Sequence, residues 1–158
     1  MHHKREQLRY NWRELSRQQV GAFSEYFVKM EMTMYGFQVY STEVDDRGVD
    51  FVIRYKKGPF FSIQVKSIRE KGYVFMQKEK FNLSDDLFLA LAILKEGVEP
   101  RLFLVPSTAW HNPNALLVDR NYEGKKSEPE WGLNLSLKNM SMLENYSFSN
   151  MVTRIKNE

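Results

Sequence analysis

From residue 16 onward the apolar positions first fall at a helical spacing. Val20, Phe23, Phe27, Met30 and Met34 recur every three or four residues, and Gly21, Glu25, Val28 and Met32 form a second stripe beside them. Ser16 stands three residues before Gln19, the capping-box spacing, and Leu15 and Val20 are placed for a hydrophobic staple. The spacing predicts a helix from Ser16 to about Tyr35, stopped by Gly36. Ahead of it, Leu8, Trp12 and Leu15 predict a small amphipathic helix over 5–15. Glu25 falls in a stripe whose other members are apolar or lack a side chain, where a carboxylate is costly unless it finds a partner.

After Gly36 the period drops to two. "FQVYSTEV" (37–44), "VDFVIRY" (49–55) and "FFSIQVKSI" (60–68) read as strands joined by the turns "DDRG" and "KKGP", an antiparallel meander. Parity sets Asp50, Val52 and Arg54 on one face of the second strand, and Ser62, Gln64 and Lys66 on one face of the third. "LFLALAIL" (87–94) and "RLFLVP" (101–106) are continuous apolar runs, read as buried strands. "PSTAW" opens a short helix, "ALLVD" (115–119) and "GLNLSL" (132–137) are late short strands, and the last twenty residues hold one or two helices. The organisation expected is one domain over 1–158. It comprises a basic N-terminal helix (1–16), a core (17–110) and a C-terminal extension (111–158) packing on that core.

Composition narrows the chemistry. At 158 residues, 42% hydrophobic and 27% charged, the chain is ordinary for a globular protein. No apolar run approaches the roughly 18 residues of a membrane span, so no membrane partner is expected. The absence of cysteine excludes thiol catalysis, disulfides and thiolate zinc sites, and suits a reducing, cytoplasmic setting. No Walker loop or Gly-x-Gly-x-x-Gly is present, so no nucleotide cofactor is expected, and His111 alone in the body of the chain gives a serine-hydrolase triad little support. The net charge is +3, and residues 1–20 carry all of it: five basic against two acidic, leaving 18 of each elsewhere. Arg5, Arg9, Arg13 and Arg17, four residues apart, would form one helical stripe, either a solvated face or a contact for the backbone of nucleic acid.

The remaining chemistry gathers between 48 and 67, in "GVDFVIRYKKGPFFSIQVKS". Asp50 at the mouth of one strand and Gln64 on its neighbour supply two side-chain oxygens, with the Val65 backbone carbonyl between them and Lys66 one pleat further. Glu25 completes the set if its helix packs across the sheet. Such an oxygen set with a nearby ammonium suits a hard divalent cation and phosphodiester chemistry. The plain alternative is a polar, solvent-facing strand surface.

The order of these pieces resembles the PD-(D/E)XK nuclease superfamily: a helix bearing Glu25, a meander, Gly-x-Asp at Asp50, then an acid-x-Lys strand with Gln64 in the acid's place. The residues carrying the resemblance are "GAFSEYFVKMEMTMYGFQV", "DDRGVDFVI" and "FSIQVKS", within about 20–68. The Gln-x-Lys form is similar to Mrr-type restriction endonucleases, and the helix–meander part to archaeal Holliday-junction resolvases. The resemblance implies an α/β, restriction-endonuclease-like fold, a mixed central sheet flanked by helices with an α-β-β-β-α-β core. It implies a metal-dependent endonuclease acting on DNA, with Mg²⁺ (or Mn²⁺) held by Glu25, Asp50, Gln64 and the Val65 carbonyl, and Lys66 as the catalytic lysine. A homodimer stays open, since nucleases this small often need one for double-strand cuts. The alternatives are a catalytically silent module of the same fold, binding nucleic acid or protein, and an unrelated α/β protein whose polar strand residues are surface decoration.

Overall fold

The computed structural model describes residues 9–43 and 48–158. Helix α1 (Arg17–Met34) starts at the predicted cap: the Ser16 hydroxyl accepts the Gln19 N–H at 3.1 Å, and the Gln19 carboxamide oxygen accepts the Ser16 N–H at 2.9 Å. It ends before Gly36, whose φ of +93° is a conformation in which glycine carries no Cβ penalty.

Strands β1 (Gln38–Ser41), β2 (Phe51–Arg54) and β3 (Phe60–Arg69) form the expected antiparallel meander. After β4 (Gly72–Gln77), β5 (Leu87–Leu94) pairs in parallel with β3 from Ser62–Leu87 to Arg69–Leu94, and β6 (Arg101–Pro106) closes the edge antiparallel to β5. The order β1-β2-β3-β5-β6 is the mixed sheet of the expected class. Every residue of β5 is buried, because both of its faces are covered.

On one face lie α1 and α3 (Phe148–Lys156), enclosing Val28, Met32, Phe51, Ile63, Ala90, Leu104 and Val152. The other face carries a second sheet, β4-β8-β7, built with β7 (Leu117–Arg120) and β8 (Glu130–Leu135). Leu89, Leu91 and Val105 meet Val74, Met76, Leu133 and Trp110 there. Residues 111–158 therefore do more than cover a finished core: they supply two strands of one layer and α3 of the other.

Four expectations are corrected. The crossover from β3 to β5, where an α-helix was expected, runs through β4 and a 3₁₀ turn at Lys78–Lys80, so a strand of the second sheet takes the helix's place. Of the N-terminal helix expected over 1–16, residues 9–16 form a turn and one 3₁₀ turn at Trp12–Glu14, with Tyr10 at φ +63°. The cause is tertiary: Trp12 is buried with Val20, Ala92 and Leu94, and its indole N–H donates to the Lys95 carbonyl at 2.9 Å. On α1 the buried line is Val20, Ser24, Phe27, Val28 and Met32, so Met30 and Met34 of the predicted main stripe are 60% and 82% exposed. The β4 strand was not predicted at all.

Trp12→Ala is expected to lower unfolding stability by about 3–5 kcal/mol, the usual range for emptying a buried aromatic site. Met34→Ala should stay within about 0.5 kcal/mol, as exposed positions do. Urea denaturation of both variants checks the pair.

Candidate functional site

The β2–β3 ladder is regular from Arg54–Phe60 to Phe51–Ile63 and then stops. Asp50, one residue before the last pair, comes beside Gln64. Its N–H still reaches the Ile63 carbonyl at 2.9 Å, and its Oδ2 accepts the Val65 N–H at 2.7 Å. A side-chain carboxylate thus satisfies a strand N–H on the edge that β2 leaves. The turn ahead of Asp50 is tight for a steric reason. Gly48 has φ +75°, and a Cβ there would stand 2.7 Å from the Lys80 carbonyl and 3.4 Å from Gln64 Oε1.

Gln64 is 9% exposed, and its Oε1 is buried with no hydrogen-bond donor; among the described residues only Ser24 Oγ shares that condition. A buried amide oxygen without a donor is costly unless something positive meets it. Lys66, on the same strand face by parity, is half-buried, and its ammonium has no ion pair or hydrogen bond among the described residues.

Glu25 is held elsewhere. Its carboxylate pairs with Lys29 one helical turn on, at 3.1 Å. The Lys29 ammonium also reaches Ser41 Oγ at 3.3 Å and lies 5.6 Å from the centre of the Phe51 ring. Since Phe51 packs toward α1, the Glu25–Lys29 pair approaches from the helical side, at the residue that follows Asp50. Asp50, Gln64 and Val65 are thus brought together with Lys66 alongside, and Glu25 stands at their margin behind a lysine. Among the described residues no three His, Cys, Asp or Glu side chains form a metal-binding group. A cation here would take a mixed set of carboxylate, amide and main-chain oxygens, and the donorless Gln64 Oε1 beside Asp50 fits that requirement.

Among the described residues the arginine stripe does not form. Arg5 lies outside the described residues, as does Asp46 of the turn before Gly48. Arg9 lies over the Tyr10 ring, Arg13 is tied to Glu96, and Arg17 opens α1. Of the three described, Arg17 alone reaches the Lys66 side. It joins Lys66, Arg69, Tyr73 and Phe75 around a cleft of 680 Å³.

The fold has counterparts among solved structures. The Holliday junction resolvase Hjc of the archaeal hyperthermophile Archaeoglobus fulgidus superimposes with a TM-score of 0.53 at 12% identity, over 84% of this chain and 94% of that one. A bacterial homing endonuclease gives a TM-score of 0.53 at 16% identity, over 87% of this chain and 91% of that one. The chain has the restriction-endonuclease-like fold. No protein-family model and no curated protein sequence matches it. Nor is any helix among the described residues long and apolar enough to cross a membrane.

Around this restriction-endonuclease-like core, three further residues border the candidate site that sequence reasoning did not single out. Arg69 donates to the carbonyls of Trp12 and Leu15 at 2.9 and 3.4 Å, strapping the N-terminal segment to the end of β3. Tyr73 lies across Gly132, where a Cβ would come within 2.1 Å of its hydroxyl, and donates to Glu130 Oε2 at 2.5 Å. Phe75 stacks beside Tyr73, centroids 6.2 Å apart. The β-branched and aromatic content of Tyr73-Val74-Phe75-Met76 was the available signal for β4. Burial first, and then the bond to Glu130, push the Tyr73 phenol well above its usual range.

Two predictions follow from these contacts. Gln64→Leu removes the donorless oxygen and should raise stability in EDTA by about 1 kcal/mol, read by urea denaturation. Tyr73→Phe leaves the buried Glu130 carboxylate without its donor and should cost about 1–3 kcal/mol at neutral pH. Because the folded-state phenol is raised, its stabilisation is whole below the unfolded tyrosine range near pH 10 and is lost as pH rises beyond it. The same variant should therefore lose less stability than the parent between about pH 9 and 11.

Proposed function

We propose that the protein is a metal-dependent endonuclease that hydrolyses DNA phosphodiester bonds. The observation that carries the reading is the buried, donorless Gln64 Oε1 beside Asp50, where the β2–β3 ladder parts and Lys66 stands unpaired. Support comes from the fold shared with a Holliday junction resolvase and a homing endonuclease. Asp50, Gln64 and the Val65 carbonyl would hold Mg²⁺ or Mn²⁺, with Glu25 joining once it leaves Lys29. A divalent cation bound there supplies Lewis-acid polarisation of the phosphate and a more acidic water.

This chain's own residues would do the rest. Asp50 is oriented by the Val65 N–H, so one carboxylate oxygen is fixed before substrate arrives. Lys66 places a positive charge on the same face as Gln64, positioned to orient the attacking water and to stabilise charge developing on phosphate oxygens. Arg17 and Arg69 hold the DNA backbone beside it without reading sequence. Gly48 lets the turn before Asp50 pass against Lys80 without a steric clash.

A second reading has its own observation. Glu25 is already paired with Lys29, and glutamine at 64 leaves one carboxylate fewer, which suits a silent DNA-binding member of the fold. Supercoiled plasmid with Mg²⁺, Mn²⁺ or EDTA separates the two. Nicking that needs the metal, and falls at least about 100-fold in Lys66→Ala and in Asp50→Asn, is the expected result. Salt-sensitive binding without nicking by the parent would instead favour the silent module. Neither binding nor nicking would sink both.

A further inference from the structure

Beyond Ile63, β3 has no β2 neighbour, and the space along its edge opens into the 680 Å³ cleft. One wall is the N-terminal turn of α1, with Arg17 and Val20; the other is β4, with Tyr73 and Phe75. The end of β3 forms the floor, from Lys66 to Arg69. Its charges are all of one sign: Arg17, Lys66 and Arg69 line it and no carboxylate does. Neither the Arg17 nor the Lys66 side chain has an ion-pair or hydrogen-bond partner among the described residues. A cleft lined by three cations, two of them unpaired, and no carboxylate is an anion site by electrostatics.

The β4 wall adds a second chemistry. Phe75 is 47% exposed, an unusual position for a phenylalanine in the middle of a strand. It is also rigidly backed. Its neighbour Tyr73 is pinned by Glu130 at its hydroxyl, by the Gly132 backbone under its ring and by the Arg120 guanidinium 4.4 Å from its centroid. The two rings lie within 19° of parallel, so Phe75 presents a half-exposed ring to the cleft beside a fixed partner. A ring held in place before binding loses little entropy when a ligand stacks on it.

A polyanion with flat aromatic groups matches both chemistries, and nucleic acid is that ligand. Base pairs inside a duplex are covered on both faces by their neighbours and offer Phe75 nothing to stack on. An unpaired base does. We infer that the cleft takes an unpaired nucleotide of the DNA substrate, its base stacked on Phe75 and its flanking phosphates held by Arg17, Lys66 and Arg69. The inference rests on the nuclease reading and deepens it: the substrate class is DNA with a single-stranded or displaced nucleotide next to the phosphodiester at Lys66.

The test uses the whole chain and a short oligonucleotide carrying 2-aminopurine, in EDTA so that nothing is cut. The same sequence is offered as a single strand, as a duplex with the probe base unpaired, and as a perfect duplex. The first two are expected to bind at least about five-fold tighter than the third, the lower end of what one base–aromatic stack contributes, with quenching of the probe. Phe75→Leu, apolar but without a π-face, should lose the quenching and the preference, and Phe75→Trp should restore both. Arg17→Ala should lower the slope of log affinity against log salt by about 0.7, the value for one phosphate of a single strand. Equal affinity for all three forms, or a Phe75→Leu variant that still quenches and still discriminates, overturns the inference. If metal-dependent, Lys66-dependent plasmid nicking persists in that case, the nuclease reading survives alone. No binding of any form overturns both.

Discussion

The site depends on where β2 lets go of β3. Only four residue pairs join the two strands, while β3 continues to Arg69. Past Ile63 its edge would present an unsatisfied N–H at Val65, and a buried donor left open costs as much as a lost hydrogen bond. Asp50 answers that need with its side chain, at 2.7 Å. The bond fixes the carboxylate beside Gln64, ends the ladder without an orphaned donor and leaves the rest of β3 free to floor a cleft. Gly48 serves the same parting from the other side, because only a residue without Cβ turns that close to Lys80.

Sequence reading succeeded where interactions are local or doubly constrained. Ser16 and Gln19 cap each other three residues apart, so α1 could be placed at its first residue. The all-apolar 87–94 run meant burial on both faces, and β5 is buried along its whole length. Failures track long-range contacts. Arg9, Arg13 and Arg17 have helical spacing, but Trp12 is captured by Lys95, far along the chain, and the segment bends to follow it. On α1 both stripes were apolar enough to face a sheet. Packing against Phe51 and Ile63 selected Val28 and Met32, which no local signal distinguishes from Met30 and Met34. In β4 the outward positions are as apolar as the inward ones, because Tyr73 and Phe75 lie over the second sheet, and the missing polar alternation hid the strand.

For the site, strand parity was enough to put Asp50, Gln64 and Lys66 on one side, since the period of two is set by the backbone itself. Parity could not show that Glu25 would be occupied by Lys29, a pair one helical turn apart that competes with any ligand for the carboxylate. Nor could it show Arg69 and Phe75, whose relation to Lys66 exists only once β4 folds back across the end of β3.

Glutamine at 64 then has a physical sense of its own. A second carboxylate there would stand beside Asp50 in a largely buried position, and like charges that close repel strongly. The amide avoids that repulsion and leaves Lys66 as the charged group on its own strand face. Under the proposed chemistry, the negative charge that a Glu-x-Lys strand would build into the protein arrives with the DNA, so metal affinity and substrate binding become coupled. Under the same proposal, the Glu25–Lys29 pair would keep a carboxylate at the margin until a stronger cation competes for it.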